Sequence, residues 1–157
     1  MPWLEWRSYL LLCETTRQGS HPPAGSGFVN MSKDPNSVAV IDADASACLA
    51  MSRFLRGVGF NPSTFTSAES FLADDRRAAF AALLLDIQLP GMSGLELQRR
   101  LLVEGDRTPV IFVTAEDDTA ARDLAIQNGC AEFFRKVDPG AAIVDALRRA
   151  AGAGART

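Results

Sequence analysis

The stretch Leu83-Leu84-Leu85-Asp86-Ile87-Gln88-Leu89-Pro90-Gly91-Met92-Ser93-Gly94 decides how this chain folds. An apolar run stops abruptly at one carboxylate, and a loop holding Pro90, Gly91 and Gly94 follows at once. A short apolar run bounded by turn residues reads as a strand buried on both faces. Asp86 then stands at the carboxyl end of that strand, where open α/β sheets build their sites.

On both sides of this strand, from Ser37 onward, the chain alternates strand and helix signals. Val38–Ile41 is a short apolar strand ending at Asp42, and Ala45–Gly57 is predicted helical with Leu49, Phe54, Leu55 and Val58 on its apolar side. Phe60–Thr66 reads as a more polar strand, suited to a sheet edge. Ser67 is a good N-cap for a short helix containing Phe71 and Leu72. Phe80–Leu85 is the third strand, and Leu95–Val103 is helical after the Gly94 turn. Val110–Val113 is the fourth strand, ending at Thr114. Asp117 or Asp118 caps a helix running to Asn128, and Gly129 ends it in the C′ role. Glu132–Arg135 is the fifth strand, ending at Lys136. Asp138-Pro139 opens a last helix to Arg149, with Pro at the first helical position.

Successive β-α units imply a parallel sheet with helices on both faces, an α/β doubly wound fold. Its first, third and fourth strands lack polar alternation, as strands covered on both sides do. One domain over 37–150 accounts for these elements. Residues 1–36 are expected to be a flexible or disordered leader. In it Trp3, Trp6 and Leu10 share a helical face, and Met31 would serve as a start just before the first strand. Residues 151–157 are expected to be a disordered tail.

Composition narrows the classes of function. The 157 residues carry a formal charge of −3, which disfavours nucleic acid as a direct partner. The longest aliphatic runs fall far short of the ~20 residues that span a bilayer, so no membrane insertion is expected. Cys13, Cys48 and Cys130 are odd in number and widely separated, which suits a reducing cytoplasm. The single histidine, His21, lies in a Gly/Ser/Pro-rich stretch and makes a Ser-His-Asp triad improbable.

Asp42, Asp86, Thr114 and Lys136 stand at the ends of strands one, three, four and five. All carboxyl ends of a parallel sheet share one rim, so these side chains converge if strands one and three are neighbours. A single Asp at such a place is usually a cap or turn former. Two carboxylates, a hydroxyl and an ammonium together are chemically coherent. The carboxylates can hold a hard cation such as Mg²⁺. One carboxylate can attack phosphorus, while the hydroxyl and ammonium take up phosphoryl oxygens.

Val40-Ile41-Asp42, the Asp86-Ile87-Gln88-Leu89-Pro90-Gly91-Met92-Ser93-Gly94 loop, Val113-Thr114-Ala115 and Lys136 resemble a response-regulator receiver domain, the CheY-like fold. The resemblance runs from about Ser37 to Ala150. It implies a flavodoxin/CheY-like five-stranded sheet of order 2-1-3-4-5 and a role in a two-component phosphorelay. By resemblance, Asp86 is the phosphoacceptor, served by a histidine kinase or a histidine phosphotransfer protein. Asp42 helps hold Mg²⁺, as does the backbone carbonyl of Gln88. Thr114 is the switch hydroxyl, Lys136 pairs with the phosphoryl group, and Phe133 is the aromatic switch. The helix after Thr114, the fifth strand and the last helix would meet a downstream protein target. With no output domain expected after Arg149, a single-domain regulator signalling by protein contact is the leading reading, with no catalytic turnover of its own.

Two positions depart from the family pattern. Asp42-Ala43-Asp44 places Ala43 where the family has a second acidic residue that ligates the metal directly. Lys136-Val137 stands where the family usually has Lys-Pro, commonly with a cis bond. These departures motivate the alternative of a pseudo-receiver, a binding module that works without phosphate. An aspartyl-phosphate hydrolase would want a general acid two residues after the nucleophile, where Gln88 stands. A flavodoxin-like cofactor binder would want a phosphate loop after strand one, where Asp42-Ala43-Asp44 repels phosphate in the absence of a metal.

Overall fold

The computed structural model describes residues 33–115 and 117–154. Trp3, Trp6, Leu10, Cys13, His21 and Met31 lie outside them. Five parallel strands form one sheet: β1 (Asp34–Ile41), β2 (Asn61–Phe65), β3 (Phe80–Leu85), β4 (Val110–Thr114) and β5 (Glu132–Arg135). Their order is β2-β1-β3-β4-β5. The helices are α1 (Ala45–Gly57), α2 (Ala68–Leu72), α3 (Gly94–Val103), α4 (Thr119–Gln127) and α5 (Gly140–Gly154).

The sheet separates two apolar layers, as the alternation of side chains along a strand requires. Val38, Val40, Ala82, Leu84, Ile111 and Val113 face one side, where Leu55 of α1 and Ile143 and Leu147 of α5 cover them. Ala39, Ile41, Leu83, Leu85, Val110 and Phe112 face the other, against Phe71, Leu97, Leu101 and Ala125. Every residue of β3 and β4 is buried, because helices cover both of their faces. The polar β2 is an edge strand, as its composition predicts.

Several boundaries differ from the sequence reading. β1 begins at Asp34, so residues placed in the leader belong to a strand; its pairing with β3 is irregular between Asp34 and Val38. The last helix starts at Gly140 rather than Pro139 and continues to Gly154, so Ala151–Gly154 are helical and not tail. Asp138 instead folds back to accept the Arg135 N–H at 2.7 Å, which delays the helix start. Of the two candidate caps, Asp118 is the N-cap of α4. In α1 the buried residues are Ala47, Cys48, Ser52 and Leu55, whereas Leu49 is 50% exposed.

Candidate functional site

Each strand end is pinned by its neighbour before its side chain does anything. The Asp42 N–H donates to the Phe65 carbonyl at 3.0 Å, and the Asp86 N–H to the Ile41 carbonyl at 2.9 Å. The Lys136 N–H donates to the Thr114 carbonyl at 2.8 Å. The strand order places β1 beside β3, and β4 between β3 and β5, so the rim holds Asp42, Asp86, Thr114 and Lys136 in spatial sequence. Gly94 permits the tight exit from β3: a Cβ there would lie 2.1 Å from the Asp86 carbonyl oxygen.

The long Lys136 side chain crosses from the edge strand to the centre. Its Nζ donates to Asp42 Oδ2 at 2.6 Å and to Asp86 Oδ2 at 3.0 Å. These three side chains are 14%, 12% and 7% exposed, in the order Lys136, Asp42, Asp86. The second oxygen of each carboxylate faces its own loop. Asp42 Oδ1 accepts from the Asp44 N–H at 2.9 Å, and Asp86 Oδ1 from the Gln88 N–H at 3.2 Å. The Lys136–Val137 peptide is trans, like every described bond, and Lys136 still reaches both carboxylates.

Burial pushes the Asp86 carboxyl above its usual range; Lys136 opposes the rise, and the Asp42 charge adds to it. Burial also pulls on Lys136 in the downward direction, but its hydrogen bond to Asp42 and its attraction to Asp86 outweigh this and hold it above the ordinary lysine value. The centre is therefore a buried cluster of two acids around one ammonium. A cavity of about 40 Å³ adjoins it, lined by Val40, Leu84, Val113, Ala47 and Met51 together with Asp42, Asp86 and Lys136 themselves.

Thr114 is buried, and by alternation it lies on the same face of β4 as Phe112. Phe112 packs on Phe133 with ring centroids 5.9 Å apart, and the Arg122 guanidinium sits 5.9 Å from the Phe133 centroid. Hydroxyl and aromatic ring thus share one layer, next to α4. Arg122 escaped the sequence reading because its partner comes from another element, with no spacing pattern to reveal it.

Ala43 is exposed and brings no donor atom. Asp44 is the N-cap of α1: its Oδ1 accepts from the Ser46 and Ala47 N–H groups at 2.9 and 3.4 Å. No group of three or more His, Cys, Asp and Glu side chains suited to a metal exists among the described residues.

This constellation on a 2-1-3-4-5 sheet agrees with the sequence comparisons. A model of the response regulator receiver domain matches residues 38–148. The chain belongs to this family. Among curated relatives, the receiver is 34% identical over 128 residues to response regulator protein TodT of Pseudomonas putida, covering 82% of this chain and 56% of that protein. It is 33% identical over 114 residues to response regulator protein TmoT of Ectopseudomonas mendocina, covering 73% and 52%. The chain therefore spans about half the length of these relatives. Among solved structures, the response regulator StyR aligns with a TM-score of 0.70 and 36% identity over 76% of this chain and 60% of that one. FixJ-N aligns with a TM-score of 0.70 and 28% identity over 77% and 96%. Phosphorylation and Mg²⁺ binding are typical of receiver domains.

Proposed function

We propose that this receiver accepts a phosphoryl group on Asp86 from a phosphohistidine of a kinase or phosphotransfer protein, and passes the signal by protein contact. The observation that supports this most is Lys136 Nζ bridging Asp86 and Asp42 at 3.0 and 2.6 Å. That ammonium is already placed to meet a phosphoryl group on Asp86. An Asp86 carboxylate oxygen attacks phosphorus, the new O–P bond forms, and the P–N bond breaks as the imidazole leaves with the electron pair. The product adds about −2 charge and three acceptor oxygens. Lys136 follows the charge, and the Thr114 hydroxyl donates to a phosphoryl oxygen. Movement of Thr114 opens space for Phe133 on the same layer, which turns a charge event at the rim into a packing change beside α4 and β5.

The donor set fits Mg²⁺, which is commonly held by one or two carboxylates, waters and substrate phosphate. Asp42, Asp86 and the Gln88 carbonyl would hold it. When bound, the ion supplies charge neutralisation for the phosphoryl oxygens. With Ala43 in place of a carboxylate, more of its shell falls to water, and affinity is lower.

Incubation with acetyl phosphate and Mg²⁺ tests the proposal. A phosphoprotein is expected from the wild type and none from Asp86→Asn. Absence of label even at high Mg²⁺ contradicts it. That outcome would favour a second reading, a phosphate-independent binding module in the reducing cytoplasm, which rests on Ala43 and on Asp44 capping α1.

A further inference from the structure

The loop that carries Gln88 is gripped from a different element. Glu69, an exposed residue on α2, accepts the Met92 N–H through Oε1 at 2.8 Å across 23 positions of sequence. The same oxygen fills the place that a side chain at residue 91 would take: a Cβ on Gly91 would lie 2.7 Å from it. Gly91 has φ +72°, a left-handed conformation that glycine adopts without strain. The sequence Pro90-Gly91-Met92 thus leaves a notch, and Glu69 occupies it.

The base of this clasp is firm. Ala68 and Phe71 of α2 are fully buried, and Phe71 meets Phe65 edge to face at 5.4 Å and Phe80 at 6.1 Å. Within the loop, the Leu89 and Gly94 amides bond back to the Ile87 carbonyl at 3.1 and 2.9 Å. Those bonds join the start of the loop to the first residue of α3, and the Glu69 bond adds a hold from α2. The Gln88 N–H of this loop donates to Asp86 Oδ1 at 3.2 Å, so the loop backbone and the Asp86 carboxylate are joined by a hydrogen bond. The Met92 N–H holds the Glu69 carboxyl below the usual range, as expected for a carboxylate that keeps this bond.

We infer that Glu69 is a positioning residue: by holding the Met92 amide it fixes the β3–α3 loop and, through Gln88, the orientation of Asp86. The inference rests on Asp86 being the phosphoacceptor. Glu69→Ala leaves the Met92 N–H to water and frees the loop, whereas Glu69→Gln keeps an acceptor oxygen and removes only the charge.

Two measurements on the full chain test it. Hydrogen exchange at the Met92 amide should quicken about fivefold in Glu69→Ala, the effect of losing one net hydrogen bond, and stay within twofold of wild type in Glu69→Gln. The initial rate of labelling by acetyl phosphate should fall by a similar factor in Glu69→Ala and recover in Glu69→Gln. Wild-type exchange and labelling in Glu69→Ala overturn the inference. So does a Glu69→Gln variant as impaired as Glu69→Ala. A wild-type protein that takes no label overturns the phosphoacceptor reading instead, and exchange at Met92 still decides whether Glu69 holds the loop.

Discussion

Asp86 combines two properties that usually oppose each other: it is buried, and its proposed role needs it charged. Burial raises its carboxyl pKa, and only the ionised form attacks phosphorus. The labelling rate should therefore fall on acidification at a higher pH than an ordinary aspartate, near 3.9, would produce. A pH profile of the initial rate with acetyl phosphate checks this. The same shift has a consequence for stability. Between the unfolded and folded values the native state binds more protons than the unfolded one, so stability is lost as pH rises through that window. Asp86→Asn should thus melt higher than wild type at neutral pH, with the gain vanishing below the ordinary carboxylate range. Thermal unfolding at the two pH values measures it. Ala43 sets the second residue-scale expectation. A charged contact contributes about 1.5–3 kcal/mol, so Ala43→Asp should raise Mg²⁺ affinity about tenfold or more, read by a metal titration. Unchanged affinity would show that position 43 does not face the metal.

Among the elements, α1 and α3 show what the sequence disclosed and what it hid. The bounds of α1 and β3 were readable to the residue, because caps and apolar runs mark them. The buried face of α1 is legible in part. Leu55 is fully buried and Phe54 and Val58 pack on the core as their spacing predicts, whereas Ala47, Cys48 and Ser52, small residues that a hydrophobic pattern underweights, complete the face and the larger Leu49 is half exposed. In α3, the Gly94 turn signal falls inside the Ser93-x-x-Glu96 pattern and masks it. That pattern is a complete capping box: Ser93 Oγ accepts from the Glu96 N–H at 3.2 Å, and Glu96 Oε2 accepts from the Ser93 N–H at 2.7 Å. Ser93→Ala should cost about 1 kcal/mol in chemical denaturation. Glu69 left no local signal, since its partner is brought near only by the tertiary fold.

At the scale of the whole molecule, the order β2-β1-β3-β4-β5 makes a site out of residues far apart in sequence. Strand composition pointed to a parallel sheet and a polar edge strand, and the four polar strand ends pointed to the rim. Which strands are neighbours came only with the family resemblance, because pairing in a parallel sheet is non-local. The reach of Lys136 across β4 to both carboxylates is a tertiary feature with no local signal in the sequence. Phe112 belongs to this scale, since it is fully buried and backs Phe133. Phe112→Ala should destabilise the domain by about 3–5 kcal/mol in denaturant unfolding. The central claim is that Asp86 is the atom-bearing acceptor. It is tested most directly by treating the labelled protein with borohydride, which reduces an acyl phosphate to an alcohol, and then sequencing the peptides. The account predicts homoserine at position 86 and unmodified Asp42. Homoserine at position 42, or none anywhere in a labelled protein, would contradict it.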